Sequence, residues 1–198
     1  IAPGGGGASA LAWGYTQIRA FTASGGFDQG FGEDGLRARQ REIADLAVDR
    51  SGRPLILQAA SGRACRVVRL RADGSPDRGY GKGGAATPRL PRGRVACDSI
   101  AFDRRGGAFV AGIPFSTGKG ARRPPQPAVV FRLERSGRPD PSFGKSGRAW
   151  IRSGLDRGTE LSEPRALLDP QGRLLVAASA SSPATGPGVA LFRYLLGD

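Results

Sequence analysis

A phrase of twelve residues occurs three times in this chain and constrains its fold more than any other feature. The copies read SGGFDQGFGEDG from Ser24, DGSPDRGYGKGG from Asp73 and SGRPDPSFGKSG from Ser136. Their aromatic–glycine pairs begin at residues 31, 80 and 143, so the two intervals are 49 and 63 residues long. Self-similarity at about this period is typical of the blades of a β-propeller.

Short apolar runs surround each copy in a fixed order. An apolar run with an arginine near its end precedes the phrase, as in ACRVVRL, AVVFRL and VALFRYLL. After the phrase come a short segment and then two apolar runs that are joined by a tight polar turn. These turns span 49–52, 103–107 and 169–172, each with aspartate first and glycine last. Aspartate can bond its own downstream N–H groups and glycine can adopt positive φ, so each pair of runs is predicted to form a β-hairpin.

Several of these runs are apolar without alternation, namely LILQAA, FVAGI, LLVAASA and AVVF. A strand that is apolar at every position is covered on both faces. This pattern favours stacked blades over a single sheet with one solvent-exposed face.

The predicted fold is therefore all-β, a propeller-like array of about three and a half four-stranded antiparallel blades. Residues 1–9 are predicted to be a glycine-rich linker or a processed end. The repeats are predicted to follow as a half-blade at 10–21 and full repeats at about 22–70, 71–133 and 134–196. In this interpretation the phrase links the last strand of one repeat to the first strand of the next. Because closed propellers have four to eight blades, a longer parent chain, self-association that completes a ring, and an open arc covered by a partner all remain open.

Each part of the phrase has an expected structural role. The aromatic residue is predicted to pack between neighbouring blades, the aspartate to cap a turn, and the glycine to set the turn geometry. The residues concerned are Asp28, Phe31, Gly32, Asp77, Tyr80, Gly81, Asp140, Phe143 and Gly144.

The chain is strongly basic, with 30 Lys and Arg against 17 Asp and Glu and a formal net charge of +13. Such a charge attracts nucleic acid and other polyanions, but it is also compatible with a solvated surface, because the arginines are spread along the chain. The Pro-rich insert at 116–127 is a possible contact loop through Lys119, Arg122 and Arg123. No apolar stretch is long enough to span a bilayer.

Few residues of this chain are candidates for catalysis or for binding a cofactor or metal. Histidine is absent, which excludes Ser–His–Asp and Cys–His catalysis, and no phosphate-binding loop motif occurs. Glu160 and Glu163, with Asp156, form a minor candidate for paired-carboxylate catalysis. Trp13 and Trp150 are expected to pack, although either could stack on a sugar or base. No catalytic residue, cofactor or metal site is assigned.

The two cysteines, Cys65 and Cys97, are predicted to fall on different strands of neighbouring repeats. Whether they form a disulfide stays open, because it depends on how closely their Cα atoms approach. A zinc site is disfavoured, since two cysteines without histidine cannot complete a tetrahedral set.

The order of an apolar–Arg–apolar run, the phrase, and a D-x-x-G-R hairpin resembles the delta-60 repeat. The closest copies are FRLERSGRPDPSFGKSGRAWI with DPQGRLLVAA, and the segment from Cys65 to Gly112. The resemblance implies a β-propeller module of bacterial secreted or cell-surface proteins and supplies no catalytic residues. The leading expectation is therefore a non-enzymatic binding or scaffold module that contacts protein or glycan. The alternatives are an electrostatic binder of nucleic acid or another polyanion, and a carboxylate-dependent glycan hydrolase.

Overall fold

The structure, a computed structural model, describes residues 2–3, 10–13, 16–37, 41–49, 51–58, 65–91, 93–103, 105–115, 127–151 and 158–194. These ranges contain strands, turns and bends but no helix, and hence no helix of the length and apolarity that crossing a membrane requires. The strands form four antiparallel sheets, each with its strands in chain order. The predicted all-β, blade-like fold is confirmed.

The sheets are numbered here in chain order. Sheet 1 consists of β1 (Ala2–Pro3), β2 (Ala10–Trp13), β3 (Ile18–Phe21) and β4 (Leu36–Arg37). Sheet 2 consists of β5 (Ile43–Val48), β6 (Pro54–Gln58), β7 (Arg66–Arg69) and β8 (Ala85–Ala86). Sheet 3 consists of β9 (Arg94–Phe102), β10 (Ala108–Phe115), β11 (Ala128–Leu133) and β12 (Arg148–Ile151). Sheet 4 consists of β13 (Glu160–Leu168), β14 (Leu174–Ser182) and β15 (Gly186–Tyr194).

The phrase lies within a sheet and does not connect two sheets. It turns the chain back so that the strand after it pairs with the apolar–Arg strand before it, as β8 does with β7 and β12 does with β11. The sheet boundaries are therefore shifted by one strand from the predicted repeat boundaries. The predicted half-blade at 10–21 supplies the two middle strands of a complete four-stranded sheet, and part of the predicted linker, Ala2–Pro3, forms its first strand.

The sheets stack face to face in chain order, and the core consists of the three layers between them. One cluster lies between sheets 1 and 2, a second between sheets 2 and 3, and a third between sheets 3 and 4. We call the face that each sheet turns toward the next one its leading face. Every residue of β6 and β11 is buried, as the unbroken apolar runs predicted. Both faces of these strands are covered by neighbouring sheets.

The hairpin turns follow the predicted chemistry. Asp49 accepts hydrogen bonds from the N–H groups of Ser51 and Arg53, both at 2.9 Å, while Gly52 adopts a φ of 74°. The same aspartate-to-backbone bonds recur in the later hairpins, where Asp103 and Asp169 accept them.

A buried arginine ties the third strand of sheet 3 to two turns. Arg132 donates from Nε and Nη2 to Asp103 at 3.1 and 2.7 Å, and its Nη1 lies 3.2 Å from Asp140 of the phrase. Its guanidinium also lies over the ring of Phe109. In sheet 2, Arg69 pairs in the same way with Asp77, at 2.8 Å. The arginine that precedes each of these phrases is therefore a structural cross-link.

The phrases of successive sheets also touch one another. The N–H of Gly32 donates to Asp73 O at 2.9 Å, and the N–H of Gly81 donates to Ser136 O at 2.7 Å. The first glycine of the later phrase lies over the aromatic ring of the earlier one, so that a Cβ at Gly137 would stand 2.9 Å from Tyr80. Because Gly137 also has a φ of 83°, both space and backbone conformation require glycine there.

The disulfide between Cys65 and Cys97 joins sheets 2 and 3, with the two Cα atoms 5.7 Å apart. Cys65 stands just before β7, and Cys97 lies within β9. The cysteines therefore lie in neighbouring sheets, as the strand assignment indicated, and they are oxidised.

Sheet 4 differs from the others in having an uncovered leading face. Leu167, Val189 and Leu191 are 47, 78 and 68% exposed, whereas Val67 and Val130, which match Leu191 in sheets 2 and 3, are fully buried. The run LLVAASA is thus buried on one face and only partly covered on the other, in contrast to the prediction for unbroken apolar runs.

We expect Arg132→Leu to lower the free energy of unfolding by about 3 kcal/mol, because it leaves the buried Asp103 carboxylate without its cation. Chemical denaturation measures this loss. The matched control is Arg173→Leu, which removes a 37% exposed arginine from Asp169 and is expected to cost less than about 1 kcal/mol. Equal losses in the two variants would contradict the assigned role of Arg132.

Candidate active site on the first strands

The first strands of sheets 2, 3 and 4 carry irregularities at similar positions. β9 packs between β5 and β13, so these three strands form a continuous layer across the stack. The register of β5 shifts between Ile43 and Asp45, that of β13 shifts between Ser162 and Arg165, and that of β9 shifts beside Asp98. A β-bulge redirects side chains and is often found next to an active site.

In sheets 2 and 3, the residue four positions before the turn aspartate links its strand to the next sheet. Asp45 lies four residues before the turn aspartate of its hairpin and accepts a hydrogen bond from the N–H of Ile100 in the next sheet, at 2.9 Å. Ser99 occupies the matching position in β9 and accepts from the N–H of Ala166 at 3.0 Å. These bonds attach each first strand to its successor.

The matching position in β13 is Arg165, which cannot accept a hydrogen bond. The Arg165 side chain reaches instead to the preceding sheet, sheet 3, where its Nη1 donates to the backbone oxygen of Asp98 at 2.9 Å. Arg165 therefore fixes the backbone at Asp98 and places a positive charge beside the Asp98 carboxyl.

Asp98 is a partly buried carboxyl, and in the described part of the chain its side chain has no hydrogen-bond partner. Burial raises the pKa of Asp98 to about 6; the positive charge of Arg165 opposes this rise, and the negative charge of Glu163 adds to it. A carboxyl with such a pKa is partly protonated in weakly acidic solution and can donate a proton there.

Glu163 is exposed and lies within the bulge of β13, where it adopts a φ of 49°. A side chain with a Cβ rarely takes this left-handed conformation, and such strain is concentrated at functional sites. We call Asp98 and Glu163 the inner carboxylate pair. Asp98 favours its protonated form, and Glu163 is exposed to solvent. Acid–base catalysis needs such a division of roles between two carboxyl groups.

The sequence drew attention to only part of this site. It singled out Glu163 together with Glu160, which is exposed at the start of β13, and Asp156, which lies outside the described residues. It did not identify Asp98, because nothing in the sequence showed that β9 and β13 are adjacent. An aspartate beside a cysteine within an apolar strand was the available signal.

The other predicted residues lie elsewhere. The phrase aspartates Asp28, Asp77 and Asp140 accept hydrogen bonds from the N–H groups of Gly30, Gly79 and Ser142. The phrase aromatics Phe31, Tyr80 and Phe143 are buried, and Gly32, Gly81 and Gly144 have positive φ.

The possible contact loop with Lys119, Arg122 and Arg123 lies outside the described residues. Trp150 is 38% exposed on β12, and Trp13 belongs to β2. Among the residues that the structure describes, no group of three acidic or cysteine side chains could hold a metal ion.

Comparisons with known proteins give fold likeness at low identity. No family model matches the chain, and no curated protein matches it. An exo-1,5-α-L-arabinanase from a bovine ruminal metagenomic library is similar, with 17% identity, a TM-score of 0.48, and coverage of 89% of this chain and 63% of that one. An endo-1,4-β-xylanase from Bacteroides thetaiotaomicron has 10% identity, a TM-score of 0.42, and coverage of 98 and 76%. A mutant of a GH43 protein, BlXynB, from Bacillus licheniformis has 13% identity, a TM-score of 0.41, and coverage of 94 and 40%.

The expectation of a non-enzymatic binding or scaffold module is corrected by this result. The similar structures are an arabinanase, a xylanase and a GH43 protein. At these identities the likeness concerns the fold alone. Since the chain spans about 63% of the arabinanase, its activity has to be argued from its own residues.

The raised pKa of Asp98 makes a prediction about stability. Because the folded state holds the proton more tightly than the unfolded state does, the Asp98 contribution to stability falls as pH rises from about 4 to about 6. We expect Asp98→Asn to be more stable than the parent by about 1 kcal/mol at pH 7, which is less than the full shift implies because the carboxyl is partly solvated.

Denaturation of both proteins at pH 4 and pH 7 measures this effect. The difference between the variant and the parent cancels the contributions of other carboxyls, such as Asp77 and Asp140, whose pKa values lie below the ordinary one. A difference that does not change with pH would show that Asp98 titrates normally.

Proposed function

We propose that this protein is a carboxylate-dependent glycan hydrolase and that the inner carboxylate pair carries the reaction. The observation that supports the proposal is the pairing, on adjacent strands, of a partly buried carboxyl whose pKa is raised to about 6 with an exposed carboxylate on a strained backbone. A carboxyl group that can donate a proton, together with a second carboxyl group that can act on the anomeric carbon, is the machinery of glycoside hydrolysis.

In this proposal Asp98 is the general acid. It donates its proton to the glycosidic oxygen as the bond to the leaving sugar breaks, which spares the leaving group from departing as an alkoxide. Arg165 is a positioning residue, because its hydrogen bond to Asp98 O fixes the backbone at the acid. Its positive charge also limits the rise of the Asp98 pKa, so the proton remains transferable near pH 6.

Glu163 has the second role. As an exposed carboxylate beside Asp98, it either activates a water molecule or attacks the anomeric carbon itself. The distance between the Asp98 and Glu163 carboxyl groups when the sugar is bound decides between these two routes. The bulge that places Glu163 out of the regular register of β13 presents its carboxylate to solvent.

Release of reducing ends from arabinan and xylan tests the proposal. We expect the parent chain to cleave at least one of these polymers, and Asp98→Asn and Glu163→Gln each to lower kcat by about 10²–10⁴-fold. The matched control is Glu160→Gln, which changes an exposed glutamate three positions away on the same strand and is expected to leave kcat unchanged.

The pH profile gives an independent readout. Because the acid must be protonated, we expect kcat/KM to fall above about pH 6, and this alkaline limb to be absent from the residual activity of Asp98→Asn. No cleavage of either polymer by the parent, or full activity of Asp98→Asn, would refute the proposed mechanism.

We also propose that the protein is exported. The Cys65–Cys97 disulfide supports this, since disulfides persist mainly in oxidising compartments. Export agrees with the resemblance to the delta-60 repeat of secreted proteins.

Alkylation before and after reduction, read by mass spectrometry on protein collected from culture medium, tests export. We expect neither cysteine to be alkylated before reduction and both to be alkylated afterwards. Recovery of the protein only from the cell interior, with both thiols free, would be contrary to export.

A further inference from the structure

A cavity of about 720 Å³ lies at the junction of the first two phrases, at the opposite edge of the sheets from the first strands. Its lining includes Gly30, Glu33 and Arg37 from sheet 1, and Asp73 and Ser75 from sheet 2. We call it the phrase cavity. Its volume is within the range of small-molecule binding sites, and it shares no residue with the inner carboxylate pair.

Arg37 is the unusual residue of the phrase cavity. Its Nε atom is buried and has no hydrogen-bond partner, and within the described ranges its guanidinium forms no ion pair. A buried donor without an acceptor costs free energy, and native proteins rarely leave one unfilled. An acceptor atom from a ligand would supply the missing partner.

The other copies of the phrase show that the fold needs neither Arg37 nor Glu33. Asp73 accepts a hydrogen bond from the N–H of Ser75 at 2.8 Å, and in the third copy Ser136 accepts the matching bond from the N–H of Arg138, so serine can replace Asp73 in this turn. Arg37, two residues after the first phrase, corresponds to Ala86 after the second phrase and to Ala149 after the third, and Glu33 corresponds to Lys82 and Lys145. At the first position of the phrase, Asp73 corresponds to Ser24 and Ser136. The arginine and the two acids therefore meet at the junction of sheets 1 and 2, whereas the matching positions at the junction of sheets 2 and 3 hold Lys82, Ala86 and Ser136.

The charges in the cavity select the kind of ligand. Arg37 offers donors only, whereas the carboxylates of Glu33 and Asp73 offer acceptors and would repel an anion. Hydroxyl groups both donate and accept, so a neutral polyol satisfies all three side chains at once. In a chain with a net charge of +13, the excess of acid over base in this lining argues against a phosphate or another polyanion at this place.

We propose that the phrase cavity binds one neutral sugar unit of a glycan, held by Arg37, Glu33 and Asp73. The proposal does not depend on the hydrolytic centre, because binding here needs neither Asp98 nor Glu163. It adds a second sugar site on the opposite edge of the sheets, where it would retain a polymer while the first strands act on it.

Calorimetric titration of the whole chain tests the proposal, with arabinotriose as the neutral probe and inorganic phosphate as the anionic probe. Asp98→Asn serves as the background so that the sugar is not consumed. We expect arabinotriose to bind, Arg37→Ala to weaken its binding at least tenfold, and phosphate not to compete. Since alanine occupies the matching position after both other phrases, Arg37→Ala is a change that the repeat accommodates.

Two further variants complete the experiment. Asp73→Ser, again the residue of the other copies, is expected to weaken arabinotriose binding, and the control Lys82→Ala in the second phrase is expected to have no effect. If arabinotriose does not bind, if it binds Arg37→Ala equally well, or if phosphate displaces it, the proposal is wrong. A failure here leaves polymer cleavage by the parent untouched, so the two proposals are tested separately.

Discussion

Coverage of each leading face by the next sheet is the interaction on which the rest of the structure depends. It buries both faces of the middle strands, and it places the first glycine of one phrase over the aromatic ring of the preceding one. Apolar burial of this extent contributes more to stability than the polar contacts around it. The polar contacts, such as those of Arg132 with Asp103 and Asp140, fix the angle at which the turns meet the sheets and so make the stacking specific.

The same stacking creates the candidate active site. In the layer formed by β5, β9 and β13, Asp45 and Ser99 each attach their strand to the next one, because a side-chain oxygen accepts a hydrogen bond from that strand's backbone. Sheet 4, whose leading face is exposed, has no successor among the described residues, and there the sequence places Arg165. An arginine in a position that otherwise accepts a hydrogen bond turns back toward Asp98, and this reversal brings a charge to the inner carboxylate pair.

The sequence predicted the elements of this fold better than their grouping. Repeat spacing, turn aspartates and unbroken apolar runs defined strands and hairpins, because these depend on local geometry and on burial. The boundary between sheets could not be read in this way, since a periodic sequence has the same period wherever the unit is taken to begin. Asp98 escaped notice for a related reason: its pKa is raised by burial and by Glu163 and lowered by Arg165, and both residues are more than sixty positions away in the chain.

A repeat protein also contains its own control for separating structural residues from functional ones. Side chains that recur at matching positions, such as Asp77 and Asp140 or Arg69 and Arg132, hold turns and strands in every copy where they occur. Asp98 matches Ala44 and Pro164, and Glu163 matches Ile43 and Cys97, so neither carboxylate is required by the sheet. Arg37 stands apart in the same way. The fold does not require these charged residues, and burial or backbone strain makes them unfavourable at their positions. A functional role is the best explanation for their presence.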